Sequence, residues 1–180
     1  MAFVTDEQLR IRSNRIDAGF EKLAKSLLQK DLFLSHSKLD SSLIPGALDL
    51  LSKRGASVYV DVTDPEISSL SMAGKVDRVK DAIRQCKKLV ILFTKNSESS
   101  RWIPWELGLA EGIHGVKQVA TFPVGLNGID EEAKWGKQEY FASYPQIVFR
   151  SFANNTTPDY LVLDPADNQA WTLKEWFGIT

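Results

Sequence analysis

The sequence predicts an α/β protein, a parallel β-sheet flanked by helices. Short apolar runs alternate with segments of helical period, turn-forming Gly, Pro, Asp and Ser residues separate them, and the run Lys88-Leu-Val-Ile-Leu-Phe93 reads as a buried strand. A repeated strand–helix order calls for right-handed crossovers. These bring the segments that follow three strands, Ser35–Asp40, Asp61–Glu66 and Thr94–Glu106, to one end of the sheet, where open α/β sheets present ligand sites.

Each element has its own signal. From Thr5 to Gln29 the pattern is helical. Thr5 stands as N-cap with Gln8 three residues on, and Leu9, Ile16, Phe20, Leu23 and Leu27 form an amphipathic stripe suited to packing on the domain or on another copy. Asp31–His36 is a short strand. A helix follows over Ser41–Lys53, with Leu43, Ala47, Leu48 and Leu51 on one face and Asp40 or Ser41 as its cap; Pro45 is tolerated in its first turn and Gly55 ends it. Ala56–Asp61 is the next strand, followed by a loop over Val62–Leu70. Met72–Cys86 carries Met72, Val76, Val79, Ile83 and Cys86 at helical spacing. The strand Leu89–Phe93, the loop Thr94–Ser100, a helix over Ile103–Ile113 and a strand over Gln118–Val124 complete the regular part. Beyond it, Gln146–Phe149 and Tyr160–Leu163 are short strand candidates and Gln169–Phe177 a closing helix.

Composition narrows the function classes. At 180 residues, 43% hydrophobic and 25% charged, the chain is long enough for a core of its own. A net charge of −1 gives no bulk attraction to nucleic acid or an anionic membrane. The single cysteine, Cys86, excludes an intrachain disulfide and falls on an apolar helix face, as an inert core thiol does. There is no signal-peptide pattern and no run long enough to span a bilayer, so a cytoplasmic location is expected. Two histidines, His36 and His114, without metal-ligand spacing argue against a structural zinc, and no metal site is expected.

Chemistry concentrates at Ser100-Arg-Trp-Ile-Pro-Trp-Glu-Leu107, where two indoles and a carboxylate open a helix beyond a strand. Pro104 is favoured at the first helical position, which makes Glu106 the third; a carboxylate there is stabilised by the helix dipole and kept ionised at neutral pH. That alone describes a helix-start charge. Trp102 and Trp105 are suited to core packing or to walling a cleft. The segment Ser35-His-Ser-Lys-Leu-Asp40 offers hydroxyls, an imidazole and an ammonium for ribose or phosphate. There is no GxGxxG, no GxxxxGK and no GxSxG. A phospho-receiver domain shares the strand–helix rhythm, but needs an acidic pair where this chain has Ser35-His36-Ser37.

Taken together, Asp31-Leu-Phe-Leu-Ser-His36, Val58-Tyr-Val-Asp61, Ile83-Arg-Gln-Cys-Lys-Lys-Leu-Val-Ile91 and the Trp102-Ile-Pro-Trp-Glu106 box resemble the bacterial Toll/interleukin-1 receptor (TIR) domain family and its W-x-x-x-E signature. The resemblance covers Asp31 to Val124. It implies a flavodoxin-like fold, with residues 1–29 as an added N-terminal helix and 30–180 as the TIR domain. It implies cleavage of NAD+ at the nicotinamide–ribose bond, with NAD+ as substrate and no cofactor. Glu106 is then the catalytic carboxylate, Ser35, His36, Ser37 and Lys38 line the nucleotide cleft, Asp61 borders it and Trp102 supports it. The product is ADP-ribose or a cyclic relative, in antiphage defence signalling, with self-association and a separate sensor or effector protein as partners. Where some active members have basic or aromatic residues after the first strand, this chain has His36-Ser37-Lys38. A scaffold that works by TIR–TIR association alone is the other reading, with the Asp61–Leu70 loop and the Leu9–Leu27 stripe as its surfaces. A deoxyribosyltransferase-like enzyme is a third.

Overall fold

Strand β4 (Lys88–Phe93) is the hub of the sheet, in a computed structural model that describes residues 3–16, 30–64, 66–125, 143–150 and 159–178. In chain order the elements are β1 (Val4–Thr5), α1 (Asp6–Ser13), β2 (Leu32–Ser35), α2 (Ile44–Ser52), β3 (Val58–Tyr59), α3 (Met72–Gln85), β4, α4 (Trp102–His114), β5 (Val119–Gly125), β6 (Gln146–Arg150), β7 (Asp159–Leu163), β8 (Ala170–Thr172) and α5 (Leu173–Phe177). The sheet runs β3-β2-β4-β5-β6-β7-β8, and β1 pairs with β5. From β3 to β6 neighbouring strands are parallel; β7 and β8 are added antiparallel. The parallel part has the flavodoxin-like order, in which the chain leaves β2 first toward one edge and then toward the other. The crevice between β2 and β4 is therefore the switch point where such sheets take ligands.

Alternation along the strands divides the core in two. Leu32, Leu34, Val90, Leu92, Ala120 and Phe122 face a layer containing α1, α2 and α5. Phe33, Leu89, Ile91, Phe93 and Val119 face α3 and α4 through Val79, Ile83, Ile103, Leu107 and Ala110. Every residue from Leu89 to Phe93 is buried, because both faces of β4 are covered. Cys86 is buried in the second layer, and burial pushes its thiol up to about 12. Among the described residues no helix is long and apolar enough to cross a membrane.

The N-terminal segment is built into this core. Thr5 and Gln8 form a reciprocal capping box for α1, and Val4 and Leu9 are buried with α2. A Cβ on Gly46 would lie 2.2 Å from the Leu9 carbonyl oxygen, so only glycine lets α1 and α2 approach this closely. Ser13 fastens the same contact, donating to the Ser42 carbonyl and accepting from the Gly46 amide. The helix stops there, earlier than the stripe predicts, because Ser13 bonds across to α2 and Asn14 is the C-cap. Ile16 lies beyond the helix end; Phe20, Leu23 and Leu27 lie outside the described residues.

Two further expectations change. Residues 169–177 do not form one helix. Ala170–Thr172 pairs with β7, and Thr172 then caps the short α5 through its hydroxyl and Glu175. Neither Asp40 nor Ser41 caps α2, whose N-cap is Leu43 without a side-chain bond.

Candidate active site at the switch point

The segments just beyond β2, β3 and β4 come together at the switch point, joined by side-chain contacts. Ser35 is the last residue of β2 and is 1% exposed. Ser37 caps a short 3-10 turn, its hydroxyl accepting from the Leu39 amide at 3.4 Å. That turn delivers Asp40, 2% exposed, to the loop beyond β4, where it accepts from Thr94 Oγ1 at 2.7 Å and Asn96 Nδ2 at 2.6 Å. Asp40 thus ties the two loops that flank the switch point. Sequence reasoning offered it only as a helix cap; its real partners are 54 and 56 residues away.

Glu106 enters from α4. The N-cap is Arg101, Trp102 is the first helical residue, and Ser100 Oγ accepts from the Ile103 amide. Pro104 is therefore the third residue and Glu106 the fifth, two residues deeper than the sequence suggests. The buried stripe of the helix is Ile103, Glu106, Leu107 and Ala110, so the carboxylate occupies a core-facing position. It is 5% exposed and accepts a hydrogen bond from the Ser35 hydroxyl. A carboxyl buried with one hydroxyl partner is poorly compensated. Burial pushes it up to about 7; the Ser35 bond pulls the other way, and the Asp61 carboxylate adds to the rise. This overturns the expectation that a helix start keeps Glu106 ionised: it sits a turn in, and desolvation wins.

Asp61 opens a 3-10 turn after β3 and fixes its carboxylate by accepting from the Val62 amide at 2.8 Å. Its Oδ1 lies 3.7 Å from His36 Nδ1, and the His36 side chain is 5% exposed. The structure thus brings together Ser35 with Glu106 and His36 with Asp61, and places Asp61 near enough to Glu106 to act on it electrostatically. Lys38 is exposed and forms no ion pair with a described residue. Trp102 is half-buried and meets Trp105 edge-on, ring centroids 5.5 Å apart; Trp105 packs on the second core layer.

On the segment after β3, another buried carboxylate has a different environment. Asp64 accepts from Tyr59 Oη at 2.8 Å and Arg78 Nε at 2.7 Å, and Arg78 also reaches Glu66 at 3.1 Å. Burial opposes its ionisation, but the bonds from Arg78, Tyr59 and the Glu66 amide together hold it below the usual carboxylate range. This network fixes the loop that carries Asp61.

No family model matches the chain. Two relatives do. A Bacillus cereus (strain MSX-D12) protein named "Probable 3' cyclic ADP-D-ribose synthase ThsB'" is 34% identical over 145 residues, 79% of this chain and 72% of that one. A Cytobacillus dafuensis protein named "Putative cyclic ADP-D-ribose synthase TIR2" is 35% identical over 80 residues, 43% of this chain and 21% of that one. With the flavodoxin-like strand order and a buried glutamate closing the W-x-x-x-E box at the switch point, the chain belongs to the bacterial TIR-domain family.

Proposed function

We propose that this protein cleaves NAD+ at the nicotinamide–ribose bond and closes the ADP-ribosyl group into a cyclic ADP-ribose, with Glu106 as the catalytic carboxylate. The observation that carries the reading is the buried Glu106 at the sheet's switch point, held by the Ser35 hydroxyl and, among the described residues, by no counter-charge. The names of the two relatives support the product class.

The chemistry suits one carboxylate. Nicotinamide departs as a neutral molecule from a cationic ring, taking the electron pair of the C1′–N bond, so no general acid is required. The ribose left behind has oxocarbenium character, as in glycoside cleavage. An ionised Glu106 in a low-dielectric cleft stabilises that positive charge where it forms. A ribose hydroxyl at the adenosine end attacks C1′ and loses its proton, forming the ring; attack by water on the same centre yields linear ADP-ribose. The His36–Asp61 pair lies beside Ser35 and borders the substrate. Ser37, Lys38 and Trp102 complete the cleft, with Lys38 as the cation for the pyrophosphate.

Leu39, Val62 and Met72, 72%, 57% and 66% exposed on the segments around this end of the sheet, support self-association as part of the same function. The product then serves as a message to a separate effector in defence signalling.

The test is direct. Protein at high concentration is incubated with NAD+ and the products are separated by chromatography. Nicotinamide and a cyclic ADP-ribose are expected, and Glu106→Gln is expected to lower the rate by about a thousandfold, the scale of losing a preorganised charge-stabilising group. An active parent with an equally active Glu106→Gln variant sinks the assignment.

A further inference from the structure

A second site lies in the other layer of the molecule. A cavity of about 460 Å³ opens between α1, α2, β6 and β7, within the range of about 300–1,000 Å³ typical of small-ligand pockets. Glu106 rides on α4, in the layer across the sheet.

Among the described residues, the cavity carries more positive charge than its own carboxylates answer. Arg12, Arg15, Lys53 and Arg54 line it, with Asp49 among them. Arg12 Nη1 at 3.3 Å and Lys53 Nζ at 2.9 Å share one oxygen, Asp49 Oδ2. Arg54 is spent on Asp159 and on the Leu50 carbonyl. Arg15 has no ion pair with a described residue. Among the described residues, four cations stand against Asp49 and Asp159, a surplus of two positive charges.

Tyr160 supplies an independent observation. It lines the cavity, is 5% exposed, and its hydroxyl makes no hydrogen bond to a described residue. The Arg54 guanidinium lies 4.8 Å from its ring centroid. That hydroxyl, without an acceptor among the described residues and within reach of the charges of Arg12 and Arg54, is placed to donate to an anion they attract. Ile11, Ile16 and Phe149 give the rest of the wall an apolar surface.

We propose that this cavity binds a phosphomonoester dianion with a flat or apolar body, a ligand of about mononucleotide size. Two surplus charges match a phosphomonoester, the planar forks of Arg12 and Arg15 suit its oxygens, and Tyr160 donates to one of them. The body lies against Ile11, Ile16 and Phe149. This site is separate from the Glu106 cleft and does not depend on the reaction proposed there.

Calorimetric titration of the parent chain with adenosine monophosphate tests it. Binding is expected, at least tenfold tighter than adenosine or inorganic phosphate alone. Arg12→Gln/Arg15→Gln is expected to weaken it at least tenfold. Tyr160→Phe, which keeps the ring and so the packing, is expected to weaken it several-fold while the ligand-free melting temperature stays within a few degrees of the parent's. No binding at millimolar nucleotide overturns the proposal. So does binding that the arginine double variant leaves unchanged, since the nucleotide would then occupy the Glu106 cleft.

Discussion

Glu106 and Asp64 are both carboxylates near the same end of the sheet, 5% and 7% exposed, yet their surroundings push them in opposite directions. Asp64 has an arginine, a phenol and a backbone amide donating to it, and stays ionised. Glu106 has one serine hydroxyl and a repelling aspartate, and rises to about 7. Both are shielded from solvent, but Glu106 lies deeper in the molecule and has fewer donors, and both differences push its ionisation the same way. A buried acid given full partners is a structural pin; one left with a single neutral partner is costly to the fold, and a fold keeps such a group where chemistry uses it.

Removing the pin should have the larger effect on stability. Asp64→Asn leaves Arg78 without its main partner and Tyr59 with a weaker one, at a cost of about 3 kcal/mol. In a chain of this length that is a fall of roughly 6–12 °C in Tm. Because Asp64 is held low, its contribution is present at and above neutral pH and fades as the pH falls through its folded value, so parent and variant should converge in acid. A variant that melts with the parent at pH 7 would break the comparison.

The opposite change is expected at Glu106. Its folded value is raised, from 4.5 to about 7. Across that window the unfolded chain ionises while the folded chain holds its proton, so stability drops as pH rises and levels off above 7. Glu106→Gln removes the drop and can still accept from Ser35. The variant should melt with the parent near pH 4 and be more stable at pH 8 by on the order of 2–3 kcal/mol. Thermal melts across pH check this, and an advantage that shrinks with rising pH would reverse the sign of the argument.

Much of this was legible in the chain. The apolar run Leu89–Phe93 could only be a covered strand, the Thr5/Gln8 cap was written in two residues, and the strand–helix alternation placed the three loops at one end. The W-x-x-x-E box located Glu106. Its protonation was not legible, because the desolvation comes from the packed faces of other elements and outweighs the Ser35 hydrogen bond. Local rules put Glu106 in the first turn through Pro104, whereas the helix began two residues earlier on the Ser100 hydroxyl. Asp40 reads as a helix cap and Asp64 lies within a polar loop; the partners that make them pins come from a distant loop and the next helix, which local rules do not show. The strand Ala170–Thr172 was hidden because an edge strand of three residues leaves little period to read.

Two smaller changes sharpen the contrast at Glu106, and their signs oppose each other. The acid limb of kcat/KM for NAD+ reports the free enzyme's ionisation and should rise through about 7 if the ionised glutamate is the working form. Ser35→Ala deletes the one bond that favours ionisation, so the limb should move to higher pH, by about one unit for a bond to a charged group. Asp61→Asn deletes a repelling charge at longer range, so the limb should move to lower pH, by roughly half a unit or less. Loss of packing at either position would lower activity at every pH without moving the limb. Opposite displacements therefore tie Glu106, Ser35 and Asp61 into one electrostatic unit, and a limb that stays put in both variants would show that the pH dependence belongs to some other group.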